Sequence, residues 1–133
     1  MQVQPYLSFE GRCEEAIEFY KKAVGAQVQA LMRWKDAPDK SMCTPENAER
    51  VMHSSIRIGD STVMMSDGRG SMKPEFKGVS LSLIPSSVAE AQKAFKALSE
   101  GGQVHMPMDK TFFSPAFGMV ADKFGVSWMV VVM

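Results

Sequence analysis

At 133 residues, with 45% hydrophobic and 23% charged side chains, the chain has the length of one soluble globular domain and enough apolar content for a core that needs no staples. Its 15 basic and 15 acidic side chains cancel, which leaves no basic footprint for nucleic acid and no acidic tail. No charged leader runs into an apolar segment and no long apolar run follows, so neither a signal peptide nor a membrane span is expected, and the cytoplasm is the default compartment.

Residues 3–9 alternate, Val3, Pro5, Leu7 and Phe9 against Gln4, Tyr6 and Ser8, which predicts a half-buried strand. Pro5 puts its start at an edge or a strand beginning. After the Glu10-Gly11 turn, residues 12–24 place Ala16, Ile17, Tyr20, Ala23 and Val24 on one helical face. Glu14 and Glu15 in the first turn and Lys21 and Lys22 in the last suit the helix dipole, and Gly25 supplies the stop. Residues 26–34 read as a second strand. Residues 36–50, polar and with two prolines, read as a long surface loop.

Residues 51–58 and 61–66 are alternating runs joined by Gly59-Asp60, a hairpin signal. Residues 69–77, rich in glycine and charge, read as a connection. A strand at 79–84 follows, ended by Pro85. Ser87 and Glu90 form an S-x-x-E capping box for a helix running to about Leu98, with Val88, Ala91, Phe95 and Leu98 on one face. A short strand at 103–106 ended by Pro107, a loop, and strands at 116–122 and 126–132 complete the chain.

The order β-α-β-β-β therefore occurs twice, in 1–68 and 78–133, within a single α+β domain. The stretch 5–28 is echoed by 79–104, most clearly where Tyr20-Lys21-Lys22 and Ala26-Gln27-Val28 match Phe95-Lys96-Ala97 and Gly102-Gln103-Val104. One face of each sheet packs its helix, and the other makes the inner concavity the default ligand site.

Cys13 and Cys43 fit no zinc spacing and read as free thiols. The 12 methionines read mainly as core filler, although Met also lines adaptable apolar pockets. His53 alternates with Val51, Ser55 and Arg57 opposite Met52, Ser54, Ile56 and Ile58, which aims it at the concavity. There it would act as a general base or a ligand donor, or simply hydrogen-bond a neighbouring strand. His105, beside Pro107, reads as surface or rim. Asp67 reads as a turn cap rather than a catalytic acid. Ser66 and Ser80 are expected to face the concavity as donors, and no G-x-S-x-G elbow makes either a nucleophile. Phe112, Phe113 and Phe117 with Met119 and Met129 read as a pocket wall or as core, and loop placement of Phe112 and Phe113 favours a pocket lip. Arg33 and Trp34 are candidates for the same rim. G-R-G at 68–70 is no phosphate loop, having neither the lysine nor a following helix.

These segments resemble the vicinal oxygen chelate superfamily, the glyoxalase/bleomycin-resistance fold, and within it the PhnB-like group. The matching stretches are PYLSFEG with EEAIEFYKKAVGA, the run from His53 through MMSD, GGQVHMPM from Gly101 and FGMVADKFGVSWM from Phe117. The resemblance implies paired βαβββ modules forming cup-shaped mixed sheets, each with its helix outside, and commonly a homodimer. Metal-using members take one ligand from the first and one from the last strand of each half. Carried over, those positions fall on Met129, on Met64 or a neighbour, on Val79 or Ser80, and on Gln4 or Pro5. Leu7 and Phe9 facing the helix favour Gln4. Of these only Gln4 suits a hard cation, so no metal or other cofactor is expected, and a divalent metal would find most of its ligand pattern missing.

The leading reading is a PhnB-like small-molecule-binding homodimer with an apolar cup. Gln4, Met64, Ser66, Ser80, Phe113, Phe117 and Met129 are its candidate ligand contacts, and His53 is its candidate catalytic residue should a reaction occur. The alternative is a metal- or His-dependent lyase, isomerase or dioxygenase of the superfamily. A ligand-free structural or regulatory dimer is a third. Group names invoking phosphonate metabolism or ubiquinone methylation meet no phosphate or methyl-donor motif here, and fold does not imply function.

Overall fold

The computed structural model describes residues 1–68 and 73–133. Residues 69–72, which include two members of G-R-G, lie outside the described residues. The chain divides into two compact units, Met1–Pro74 and Glu75–Met133. The first contains β1 (Tyr6–Ser8), α1 (Cys13–Val24), β2 (Gln27–Arg33), a 3-10 turn at Trp34–Asp36, β3 (Val51–Ile58) and β4 (Ser61–Ser66). The second contains β5 (Leu81–Leu83), α2 (Val88–Ser99), β6 (Gln103–Asp109), β7 (Phe117–Ala121) and β8 (Ser127–Val131). Each unit is thus β-α-β-β-β. Each sheet is mixed and four-stranded, ordered β1-β4-β3-β2 and β5-β8-β7-β6, with its first strand parallel to its last. This is the α+β paired-module fold, with open rather than closed sheets. Among the described residues no helix is long and apolar enough to cross a membrane.

In the first unit Leu7 lies beside Met65, Met65 opposite Ser54, and Val63 opposite Ile56. Side-by-side residues share a sheet face, and this one is buried with Cys13, Ala16, Ile17 and Tyr20 of α1. Fully burying a side chain the size of Ile17 is worth about 1.5–3 kcal/mol. Gly25 ends α1 in the left-handed region at φ 69° and donates its N–H to Tyr20 O. In the second unit Ala91, Ala94, Phe95 and Leu98 of α2 are buried, as are Val120, Trp128 and Val130 of the sheet. A Cβ on Gly118 would stand 2.7 Å from the Phe95 ring, so glycine there lets the helix approach β7.

Four details differ from the sequence reading. Val51 is not on the face of His53. The ladder slips between Met32/His53 and Arg33/Val51, and the extra residue turns Val51 into the core at 1% exposure. Strand β6 does not stop at Pro107. It runs on to Asp109 because it is an edge strand, where a missing N–H breaks no ladder. The capping box is displaced by one residue: Ser87 Oγ accepts from Glu90 N at 3.1 Å, but the Glu90 carboxylate takes Ser86 Oγ at 2.7 Å and Ser86 N at 3.3 Å. Ala23 and Val24 are only half-buried and Val88 is exposed.

Helix α1 has no cap of its own, since Arg12 at its N-cap offers no side-chain bond. Asp67, just past the end of β4, does that work. Its Oδ1 accepts from Gly11 N and Cys13 N and its Oδ2 from Val51 N, all at 2.8 Å, while its own N–H donates to Val51 O at 2.9 Å. The carboxylate is buried and also faces the positive end of the helix dipole. Hydrogen bonds to a charged group are worth about 1.5–3 kcal/mol each, and unsatisfied buried donors cost about as much. Asp67→Ala is therefore expected to lose at least about 3 kcal/mol of unfolding free energy in urea titrations, with Asp67→Asn between it and wild type; a loss below about 1 kcal/mol would refute this role.

Cys13 is fully buried, its Sγ 3.8 Å from Ser54 Oγ. Burial pushes its thiol up to about 12, against a smaller lowering by the Ser54 hydroxyl. Because the folded value is raised, the stability gained from keeping this thiol neutral is fully present below the unfolded value of 9.0 and is lost as pH rises toward about 12. Cys43 is partly exposed. At pH 8 a disulfide reagent should therefore titrate one thiol per native chain, Cys43, and a second only on denaturation; prompt labelling of Cys13 in the native protein would contradict its burial.

Candidate functional site: the sheet faces opposite the helices

Each sheet has a face that its own helix does not cover. In the first unit that face carries Tyr6 beside Met64 on β1 and β4, Ser55 opposite Met64, and His53 opposite Met32. With Leu7 and Phe9 buried, Gln4 shares the alternation of Tyr6 and Ser8, two residues before Tyr6. The Gln4 amide lies 3.4 Å from Gln2 Oε1, an exposed and weak contact. His53 is half-buried. Its Nδ1 lies 3.2 Å from the Tyr6 hydroxyl, and the rings are 5.7 Å apart and tilted at 36°.

Ser66 is not available on this face. It is 4% exposed, and its hydroxyl donates to Met52 O at 2.8 Å and accepts from Gly68 N at 2.9 Å. The same slip that buries Val51 brings the Met52 carbonyl within its reach. Tyr6 is the residue that sequence reasoning passed over. Its position two residues after Gln4 marks the face, but nothing local marks its contact with a histidine 47 positions away.

The uncovered face of the second unit is more apolar. Met129 lies opposite Met119 and beside Ser82, and Phe117 opposite Val131. Phe117 is buried and stands edge-on to Phe113 at 5.1 Å, and Phe113 stands edge-on to Phe112 at 5.2 Å. Phe112 is fully exposed and Phe113 half-exposed, on a loop held by Thr111 N–H to Ser114 O at 2.9 Å. Such edge-to-face pairs hold aromatic side chains at a rim in defined orientations. Ser80 precedes β5, is exposed, and its hydroxyl pairs with Ser127 Oγ at 3.0 Å. His105 is exposed on β6. Asp122 gives its carboxylate to Phe124 N, Val126 N and the Trp128 indole N–H, at 2.9, 3.1 and 2.9 Å.

Arg33 is engaged. It donates to Glu14 at 2.6 Å and to Glu49 O at 2.7 Å, and the Glu14 hydrogen bond raises its pKa further. Trp34 lines a pocket within its own unit together with residues of the 36–50 loop, and its indole N–H is buried with no acceptor among the described residues.

The metal that the resemblance implies does not fit these donors. Among the described residues no three His, Cys, Asp or Glu side chains come together. The last-strand positions carry the thioethers Met64 and Met129, and the first-strand side chains beside them are Tyr6 and Ser82. Thioethers and neutral hydroxyls are poor ligands for a hard divalent ion.

The family model described as 3-demethylubiquinone-9 3-methyltransferase matches residues 1–131. Protein YjdN of Escherichia coli (strain K12) is 35% identical over 138 residues, covering 98% of this chain and 94% of that protein. The crystal structure of protein PA1353 from Pseudomonas aeruginosa superposes with a TM-score of 0.88 at 38% identity, covering 99% of this chain and 97% of the other. A PhnB protein from Bacillus cereus superposes with a TM-score of 0.82 over 100% of both chains, and its 24% identity speaks for the fold alone. The chain belongs to the family this model describes.

Proposed function

We propose that the chain is a cytoplasmic, homodimeric small-molecule-binding protein that takes an apolar or aromatic ligand against the uncovered faces of its sheets. The observation that supports this is the make-up of those faces. Met64 and Met32 in one unit, and Met119, Met129 and the half-exposed Phe113 backed by the buried Phe117 in the other, present polarisable, adaptable surface. Tyr6 and His53 are polar groups that could orient a ligand there, with Ser55 and Arg57 following His53 on the same face of β3. The family description names a methyl transfer, but a shared fold does not carry a reaction with it.

The Tyr6–His53 contact supports a second reading, a His-dependent enzyme. If Nδ1–H donates to the Tyr6 oxygen, Nε2 is left as a proton acceptor, the arrangement a general base requires. In this reading Tyr6 is a positioning residue and His53 the catalytic one.

Binding is tested by calorimetry with a panel of flat aromatic compounds. At least one should bind at micromolar concentration, and Met64→Ala and Met129→Ala should weaken it by about 10-fold each, or about 1.4 kcal/mol. No binding across the panel would sink the proposal. If a reaction is found, His53→Ala should abolish it with the fold retained, and Tyr6→Phe should shift its pH profile; turnover unchanged in His53→Ala would remove the second reading. Elemental analysis of purified protein should find no stoichiometric metal, with thermal stability unchanged by nickel, zinc or manganese. A tight metal, one per chain, would show that the donor assignment is wrong.

A further inference from the structure

The 36–50 loop borders an open pocket of about 370 Å³ within the first unit, lined by Trp34, Ser41, Met42, Glu46 and Arg50 among others. That volume falls in the range of small-molecule sites. The loop is braced from within. Thr44 N–H donates to Asn47 Oδ1 at 2.7 Å, Asn47 N–H to Thr44 Oγ1 at 3.2 Å, and the Asn47 amide to Met42 O at 2.9 Å. The 3-10 turn is tied to the loop's far end, through Trp34 N–H to Arg50 O and Lys35 N–H to Ala48 O, both at 3.1 Å. The pocket is therefore built by the loop's own hydrogen bonds, and these occupy Asn47 and Thr44.

Charge distinguishes the groups that remain. The neighbouring cations have partners: Arg33 pairs with Glu14 at 2.6 Å and Lys35 with Glu49 at 2.9 Å. Arg50 is half-buried, yet among the described residues its guanidinium has no ion pair and no hydrogen bond. Glu46 lines the same pocket and is also without an ion pair among the described residues. On a helix a Glu–Arg pair four apart would meet; here the two, on a non-helical loop, form no ion pair. A simple anion entering the pocket would meet Glu46, and a simple cation would meet Arg50. A molecule carrying both charges satisfies both.

We infer that this pocket binds an amino-acid-like zwitterion, its carboxylate on the Arg50 guanidinium, its ammonium on Glu46 and its side chain against Trp34 and Met42. Guanidinium suits the carboxylate because its planar fork can donate two parallel hydrogen bonds. The site shares no side chain with the proposed ligand faces, so either proposal can fail without the other.

The test is isothermal titration of the full chain with L-phenylalanine, L-leucine and L-methionine, with phenylacetate and phenethylamine as single-charge controls. At least one amino acid should bind, and the two controls should bind at least about 10-fold more weakly than L-phenylalanine. Arg50→Ala should weaken amino-acid binding at least about 10-fold. Because Arg50 also lies against Gly11, with its Nη2 3.4 Å from where a Gly11 Cβ would stand, its melting curve is checked first. The exposed Glu46→Gln keeps the inference falsifiable if Arg50→Ala does not fold: it should weaken L-phenylalanine and leave phenylacetate unchanged or tighter. No heat with any amino acid at about 10 mM, equal binding of phenylacetate and phenylalanine, or binding indifferent to Glu46→Gln would each overturn the inference.

Discussion

The Asp67 carboxylate is the constraint on which the first unit depends. One buried side chain joins the last strand, the turn before α1 and the start of β3, through three backbone donors at 2.8 Å. It fixes where α1 begins, and therefore which helical face meets Leu7, Ile56 and Met65. It also holds the start of β3, where the ladder slip turns Val51 inward. The second unit divides the same tasks among local groups. Ser87 caps α2, while Ser114 Oγ accepts from Ala116 N at 3.2 Å and donates to Val132 O at 2.5 Å, tying the start of β7 to the end of β8.

That contrast explains how much of the fold was legible in the sequence. Ser87 and Glu90 are three apart, so their cap is visible as a local pattern, even though the Glu90 carboxylate settles on Ser86. Asp67 caps Cys13 from 54 positions away, and no spacing rule reveals that. The strands β3 and β4 were readable from strict alternation about a Gly-Asp turn. The slip that removes Val51 from the face of His53 was not, because a single extra residue leaves the hydrophobic pattern intact while inverting one side chain. Pro107 misled for a related reason: its missing N–H ends a strand only where that N–H would be paired, and β6 is an edge.

The candidate site was legible as a face and not as a set of contacts. Alternation in β1 separates Gln4, Tyr6 and Ser8 from Leu7 and Phe9, and so marks the uncovered side. It does not say that Tyr6 reaches His53, or that Ser66 is consumed by a backbone carbonyl. Among the described residues the buried polar side chains, Ser54, Ser66, Asp67, Ser114 and Asp122, all hydrogen-bond the backbone, with Asp122 also holding an indole N–H. A buried polar group without a partner is costly, so each is matched inside the protein and removed from the pool available to a ligand.

The two uncovered faces can be aligned through their ladders, and the alignment locates where they part. Met64 stands between Tyr6 and Ser55 as Met129 stands between Ser82 and Met119. Two residues before Ser55 is His53, and two before Met119 is Phe117. The same pair of positions therefore holds an imidazole and a phenol in contact in one unit, and a buried phenyl ring and a serine in the other. A thioether lies at the centre of both. The duplicated architecture thus places an imidazole–phenol pair on the first face, and a hydroxyl with a buried ring at the matching positions of the second. A ligand that needs a single proton donor or acceptor has a reason to prefer the first unit, and any acid–base chemistry must be sought at His53 rather than at its counterpart.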